Sequence, residues 1–435
     1  MATEPQRPTR ARYWVIVFAV TLAIIQYVDR VCISKAMPFI QRDLHFSDVQ
    51  AGYVFGAFTL AYALFEIPAG WLGDRFGPRS VLLRVVMWWS FFTAATARVS
   101  SITSMVIVRF LFGAGEAGCF PNIAKAFTAW LPPGERVRAQ GVLWLAARWG
   151  GAVTPLLVVA VLGLVSSWRR AFELFGLLGF VWAFFFYRWF RDNPLDHPAV
   201  NDAEKRLLTG VENLTSSHGR VPWRVFARSR SAWLLWIQYA CLSYVWYFYV
   251  TWFPTYLERT HGATMGPVML AVLAGLPLFG GGIGSLISGF CAGALARRVG
   301  GVGHARSALG AFGFVAAAVC LLAATSDGRG PLALAVLLGL AGLFNDFALP
   351  CAWGACMDVG GRFAGTFSGA MNMMGNLGGF VAPIATGYIL QSTGSWSLVF
   401  IVSSAAYLLG AVSWLLLDPV TPLDRGPRGS AGQIA

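Results

Sequence analysis

The sequence predicts an all-α membrane protein with twelve transmembrane helices in two pseudo-symmetric six-helix halves. Three observations predict it. The 435 residues are 57% hydrophobic and only 12% charged, with a mean hydropathy of +0.61. A soluble domain carries about 25% charged residues, so the charge needed to cover two or three soluble domains is missing. Long apolar runs recur twelve times, and a polar stretch divides them six and six.

A spanning helix needs about 20 mostly apolar residues. The runs meeting that need are 13–34, 50–72, 80–98, 103–126, 139–164, 170–190, 231–256, 267–295, 306–325, 331–357, 363–391 and 395–417. The first follows Arg7, Arg10 and Arg12, is too long for a signal h-region and ends in no A-x-A site, so it reads as an uncleaved helix. The eighth carries Gly280-Gly281-Gly282, which suits close helix packing rather than a phosphate loop.

Basic residues orient the stack. With the N terminus inside, the inner segments hold Arg7, Arg10, Arg12, Arg75, Arg79, Arg84, Arg136, Arg138, the eight basic residues from Arg188 to Arg230, Arg297, Arg298, Arg306, Arg362, Arg425 and Arg428. Those are 22, against seven outside: Lys35, Arg42, Arg98, Arg169, Arg170, Arg259 and Arg329. Lys125 is ambiguous. Both termini are therefore expected in the cytoplasm.

The expected organisation is an N-terminal half, 1–190, a cytoplasmic linker, 191–230, and a C-terminal half with a short tail, 231–435. The halves repeat. Pro121 leads through Arg136 and Gly150-Gly151 to Pro155, and Pro350 leads through Arg362 and Gly378-Gly379 to Pro383. Seven residues before the second proline stand Arg148 in one half and Asn376 in the other. Repeats of this kind build transporters with a site between the halves.

Other classes find no support. The net charge of +13 falls between apolar runs and not in a nucleic-acid-binding patch. Seven cysteines form no CxxC pair and read as small buried residues, and five histidines lie in loops or at helix ends. No metal site, cofactor or catalytic motif is expected, so the chain is not read as an enzyme.

Gly70-Trp-Leu-Gly-Asp74-Arg75-Phe-Gly77-Pro-Arg79 resembles the loop signature of the major facilitator superfamily. Tyr27-Val-Asp29-Arg30, the stretch Arg109 to Pro121 containing Glu116, and Asn193-Pro194 with His197-Pro198 narrow the likeness. Together with Trp353…Asp358 and Gly369 through Asn372 to Asn376, they resemble the anion:cation symporter family, especially its bacterial sugar-acid and galactonate:proton members.

The resemblance implies a monomeric, proton-coupled importer of an organic carboxylate in a bacterial inner membrane, working by alternating access. Its partners would be a small organic anion, protons and the bilayer. An anion or phosphate-ester exchanger and an aromatic carboxylate carrier remain alternatives. It also implies that Gly70, Asp74, Arg75, Gly77 and Arg79 latch the cytoplasmic side. The second-half copy, Gly289 to Arg298, has no aspartate.

Ionisable groups inside a membrane point to function by default. Asp29 and Arg30 are neighbours, so their side chains diverge by about 100°; Arg30 is expected to face the cavity and Asp29 another helix. Arg109 and Glu116, seven apart, share a helix face about 10.5 Å apart in rise. The resemblance gives Arg30 the substrate carboxylate, Asp29 and Glu116 the protons, and Arg109 the counter-charge.

Arg148 adds a third cation where its repeat mate is Asn376, and serves a second acidic group of the substrate, neutralises Glu116, or faces lipid or a loop. Tyr27, Tyr62, Trp353, Asn372 and Asn376 are candidate substrate contacts or packing residues. The aromatics from Tyr244 to Tyr249 could line the cavity but read more readily as belt or packing. Asp346, beside Asn345, is either a tie to another helix or a further proton site. Glu66 is expected to join the network around Asp74, and Asp358 and Arg362, like Glu135 and Arg136, to sit at a gate surface.

Overall fold

The computed structural model describes residues 7–46, 48–208, 220–261, 267–326 and 330–423. Arg329, Arg425, Arg428 and His218, one of the five histidines, lie outside these residues.

In lipid every backbone polar group must be satisfied within the chain, and these apolar runs satisfy theirs as helices. The first six segments are α1 (Trp14–Leu44), α2 (Asp48–Phe76), α3 (Pro78–Thr96), the pair α4 (Ile102–Glu116) and α5 (Cys119–Trp130), α6 (Pro133–Val165) and α7 (Trp168–Trp189). Two short helices, α8 (Asp202–Leu208) and α9 (Trp223–Arg228), lie in the linker. The last six segments are α10 (Arg230–Thr251) with its short neighbour α11 (Phe253–His261), α12 (Pro267–Arg298), α13 (Val302–Ala323), α14 (Pro331–Gly360), α15 (Ala364–Thr393) and α16 (Trp396–Leu416).

Each predicted span coincides with one of these segments, with three differences. The first helix runs ten residues past its expected end, to Leu44. The fourth span is broken at Ala117-Gly118, so Glu116 closes one helix and Cys119 opens the next. The seventh stops at Thr251, because the chain turns at Trp252 into α11.

Among the described residues, eight helical stretches are long and apolar enough by length and composition to cross a membrane, and one of them, Pro331–Thr393, contains both α14 and α15. Segments α3 and α10 fall short for a legible reason. Arg79 and Arg84 lie in the first, and the second is rich in tyrosine and tryptophan.

The packing repeats. In the first half α1 packs on α6 and α7, α2 on α4, and α3 on α4 and α7. In the second, α10 packs on α15 and α16, α12 on α14, and α13 on α14 and α16. These are equivalent pairs if α10 corresponds to α1. Two symmetric seams join the halves, α6 with α12 and α2 with α15, and α5 and α14 add to the contact.

The seams are tight because they are glycine-lined. A Cβ at Gly70 would stand 2.2 Å from the Gly365 carbonyl oxygen, and one at Gly141 would stand 2.6 Å from that of Ser285. The triple glycine behaves as its sequence suggests: Gly280 abuts the Gly339 carbonyl, Gly281 abuts Asp346 and Gly282 abuts Trp149. Five cysteines are buried as expected, whereas Cys291 is exposed and Cys320 partly so.

Candidate functional site

Near the middle of α1, successive residues diverge. Arg30 keeps 25% of its side-chain surface accessible, while Asp29 is wholly buried. The Arg30 guanidinium lies in an aromatic box, 4.6 Å from the Tyr62 ring centroid, 5.2 Å from Phe58 and 5.5 Å from Tyr27. Its Nε donates to Glu116 Oε1 at 3.2 Å, and one terminal nitrogen has no hydrogen-bond partner among the described residues. That nitrogen is itself buried, but a partly accessible arginine with aromatic walls can hold an anion.

Behind Arg30 the first half holds a buried cluster. Neither carboxylate oxygen of Asp29 has a hydrogen-bond partner among the described residues; the Trp89 indole faces it without closing a bond. Glu116 is fully buried, with Oε2 likewise unpartnered and the Gln26 amide facing it. Arg109 lies within electrostatic range of both acids, yet its guanidinium packs 4.2 Å from the Phe112 ring centroid and 5.3 Å from Phe58. Arg109 and Glu116 were expected to line a cavity. They do not, because the phenylalanines of α2 and α4 close over them, and Glu116 meets the accessible site only through Arg30.

Arg148 does not pair with Glu116. Its Nε and one terminal nitrogen donate to Asp346 at 2.6 and 3.1 Å, a bidentate pair that ties α6 to α14 across the halves. Asp346 is thus engaged as a tie. The other terminal nitrogen points to the Tyr27 hydroxyl at 3.5 Å, and the guanidinium plane lies 3.4 Å from the Trp246 ring centroid. The α10 aromatics therefore line the centre of the molecule rather than a belt.

Asn372 and Asn376 are committed to Glu66, which accepts from both; the Asn376 bonds are 3.1 and 3.2 Å. Glu66 thus belongs to this seam and not to the Asp74 network. Tyr239 and Tyr247 donate to Asn372 and Asn376 at 3.3 and 3.1 Å. Trp353 is 1% exposed and donates to the Tyr239 hydroxyl at 3.1 Å, so it is a packing residue here. Tyr27, Trp246, Tyr247 and Asn376 are half-buried and share the accessible middle with Arg30.

On the linker side the halves are tied at Asp74. Asp74 accepts from the Gly365 and Thr366 amides at 3.0 and 2.6 Å and from the Thr366 hydroxyl at 2.6 Å, capping the first turn of α15. Lys125 reaches Asp74 at 3.2 Å and also donates to the Arg362 carbonyl, so it belongs to this side. The second half supplies a tie of its own despite lacking the loop aspartate. Asp358, at the end of α14, binds Arg136 and, at 2.6 Å, the buried Arg306 of α13.

Other motif residues act within the first half. Glu135 does not face the gate but pairs with Arg12 at 2.9 Å. Gly77 has φ +80° and no room for a Cβ beside Asp192. Arg79 donates through its amide to Asp192 at 2.8 Å and through its guanidinium to the Tyr187 carbonyl at 2.7 Å. Arg75 is exposed and lies over the Trp71 and Phe76 rings. The linker is clipped at Glu204, which accepts from Thr9, the amides of Ala11 and Arg12, and the Arg12 guanidinium. Burial opposes its charge, but these bonds outweigh it and hold Glu204 below the usual carboxylate range.

The sequence model of the Major Facilitator Superfamily matches residues 19–383. The chain is 31% identical over 427 residues to "Probable sulfoacetate transporter SauU" of Cupriavidus necator, covering 98% of each. It is 30% identical to "Probable galactarate/D-glucarate transporter GudP" of Escherichia coli, covering 96% of this chain and 95% of that one. It is 26% identical to "Hexuronate transporter" of Bacillus subtilis, covering 96% and 97%. Two solved structures share the fold. The proton:xylose symporter XylE has a TM-score of 0.73 at 12% identity, covering 95% of this chain and 98% of that one. The E. coli fucose:proton symporter FucP has 0.69 at 14%, covering 94% and 99%.

Proposed function

The chain belongs to the major facilitator superfamily, and from that premise we propose that it imports a small organic anion together with protons across a bacterial inner membrane. The observation that carries this reading is Arg30: one partly accessible arginine, boxed by aromatics, paired to a buried glutamate and adjacent to a buried aspartate.

An incoming carboxylate competes with Glu116 for Arg30. Once released, Glu116 has no cation bonded to it, and a proton from the aqueous side neutralises it. Asp29 carries a second proton, since among the described residues neither of its carboxylate oxygens is hydrogen-bonded and it shares Arg109 with Glu116. Arg109 stabilises whichever acid is ionised. Neutralising the cluster favours opening of the latch at Asp74 and Asp358, and the 1–190 and 231–435 halves rock about the site.

The relatives support the substrate class, being named for sulfoacetate, galactarate, D-glucarate and hexuronate. The excess of basic residues on the linker side supports cytoplasmic termini. The protein acts as a monomer, because each half supplies the other's seam. A phosphate-ester exchanger is less well supported: the second half's buried arginine, Arg306, is engaged with Asp358 at the linker side.

Purified protein in liposomes loaded with a pH-sensitive dye tests the reading. Sugar acids, sulfonates, aromatic acids and phosphate esters are added outside in turn. Acidification of the lumen by one anion class, abolished in Glu116→Gln, is the expected result. Uptake that requires preloaded anion and moves no protons overturns it in favour of exchange.

A further inference from the structure

We propose that the substrate is a dianion whose second anionic group, a carboxylate or sulfonate, displaces Asp346 from Arg148, and that Asp346 takes up a proton as it is released. The inference rests on the reading of Arg30 as the first anion site and adds a second site and a second-half proton acceptor.

Two guanidinium groups stand at one tyrosine. Arg30 lies over the face of Tyr27, 5.5 Å from its centroid, and Arg148 meets the hydroxyl of the same ring at 3.5 Å. An anion seated on Arg30 therefore has a second cation one aromatic ring away. Arg148 already displays the geometry such a group needs, since the Asp346 carboxylate fills its fork in bidentate fashion. Trp246 covers the guanidinium plane at 3.4 Å, which leaves ligand exchange to the edge.

Charge makes the exchange proton-linked. The central buried groups are the acids Asp29, Glu66, Glu116 and Asp346 against the arginines Arg30, Arg109 and Arg148. A dianion adds two negative charges to a set already short of cations, and unbalanced charge inside a membrane is costly. Among the described residues, the groups around the Arg148–Asp346 pair offer Asp346 no second cation. Gly281 of α12 abuts its carboxylate, and Tyr249 of α10 and Tyr407 of α16, which bonds Asn345 at 2.9 Å, lie within electrostatic range of it. Ser285 of α12 donates to its backbone carbonyl, and Tyr27, Tyr239 and Trp246 lie on the Arg148 side of the pair. Asn345 donates to Asp346 at 2.8 Å but carries no charge.

The step balances. The Arg148–Asp346 ion pair breaks, an Arg148–substrate pair of the same charge forms, and the Asp346 carboxylate gains one aqueous proton to become the neutral acid. The displaced pair also joins α6 to α14, so seating the substrate loosens a contact between the halves.

The experiment uses the full chain in dye-loaded liposomes with a labelled C6 aldarate and a C6 aldonate of equal length. Arg148→Gln is expected to raise the KM for the aldarate about tenfold more than that for the aldonate, the loss of about 1.4 kcal/mol from one charged fork. Asp346→Asn is expected to bind the aldarate at least as tightly as the unaltered protein while moving one proton fewer per aldarate. Equal losses for both acids in Arg148→Gln overturn the proposal, as does an unchanged proton count in Asp346→Asn. Full recovery of aldarate uptake in the neutral double variant also overturns it, leaving the pair a tie. If Arg148→Gln does not fold, the Asp346→Asn proton count decides alone. Should the unaltered protein move no protons, the wider reading fails, and calorimetric titration with the two acids still reads the Arg148 site.

Discussion

Replacing Gly70 by alanine asks whether close approach of α2 and α15 is what shuts the linker side. The added Cβ would meet the Gly365 carbonyl oxygen at 2.2 Å, a backbone atom that no rotamer change removes, while ordinary contact begins at 3.4 Å. The helices must part by about 1.2 Å, which carries the Asp74 bonds from 2.6 and 3.0 Å beyond hydrogen-bond range. A bond to a charged group is worth about 1.5–3 kcal/mol, so losing even two of the three disfavours the closed state by about 3–6 kcal/mol. At 1.4 kcal/mol per decade that is a shift of about a hundredfold or more. Cys356 reports it, being fully buried and within electrostatic range of Asp74. Its alkylation by a maleimide, followed by mass spectrometry, should accelerate at least about tenfold in Gly70→Ala. Gly73→Ala is the control, because that Cβ meets the Asn122 side chain of the same half. Unchanged Cys356 labelling in Gly70→Ala would refute the role given to this contact.

Arg30→Lys keeps the charge but loses the planar fork, and substrate affinity read by calorimetry should fall about tenfold or more. Lowering the pH should release the linker clip. Glu204 titrates below its unfolded value of about 4.3, so its contribution is complete above that value and is lost as pH falls through the lower folded one. Proteolysis within 191–230 should therefore rise in acid, and Glu204→Gln should show that sensitivity already at neutral pH. Trp353→Phe removes one bond to Tyr239 in a packed setting. It should cost about 1 kcal/mol of stability by thermal melting and leave the choice among organic anions unaltered.

Much of the fold is legible in the sequence because lipid imposes it. Runs of apolar residues about 20 long can be little else, and Asp74, Arg136 and Asp358 sit at motif or repeat positions that the loops bring together. The divergence of Asp29 and Arg30 follows from helix geometry alone. What the sequence conceals is pairing across the halves. Arg148 and Asp346 stand 198 residues apart, and Glu66 and Asn376 stand 310 apart. Neither pair is inferable without knowing that α6 meets α14 and α2 meets α15. The α10 aromatics misled for a different reason: a helix that is apolar all round carries no stripe to say which face turns inward. Glu135 looked like the counterpart of Asp358 from its place beside Arg136, but Arg12 arrives from the N-terminal segment and claims it.

The central claim is that protons ride on Asp29 and Glu116 while the anion rides on Arg30. The most direct measurement compares two modes of transport of the monoanionic C6 aldonate, which leaves the Arg148–Asp346 pair in place, in the double variant Asp29→Asn/Glu116→Gln reconstituted in liposomes. Exchange of labelled for unlabelled substrate at equal concentrations needs only an intact anion site, whereas uphill accumulation driven by an imposed pH gradient needs the proton sites as well. The account predicts that exchange persists and accumulation is lost. Accumulation that survives at the rate of the unaltered protein would contradict it and place the coupling elsewhere in the chain.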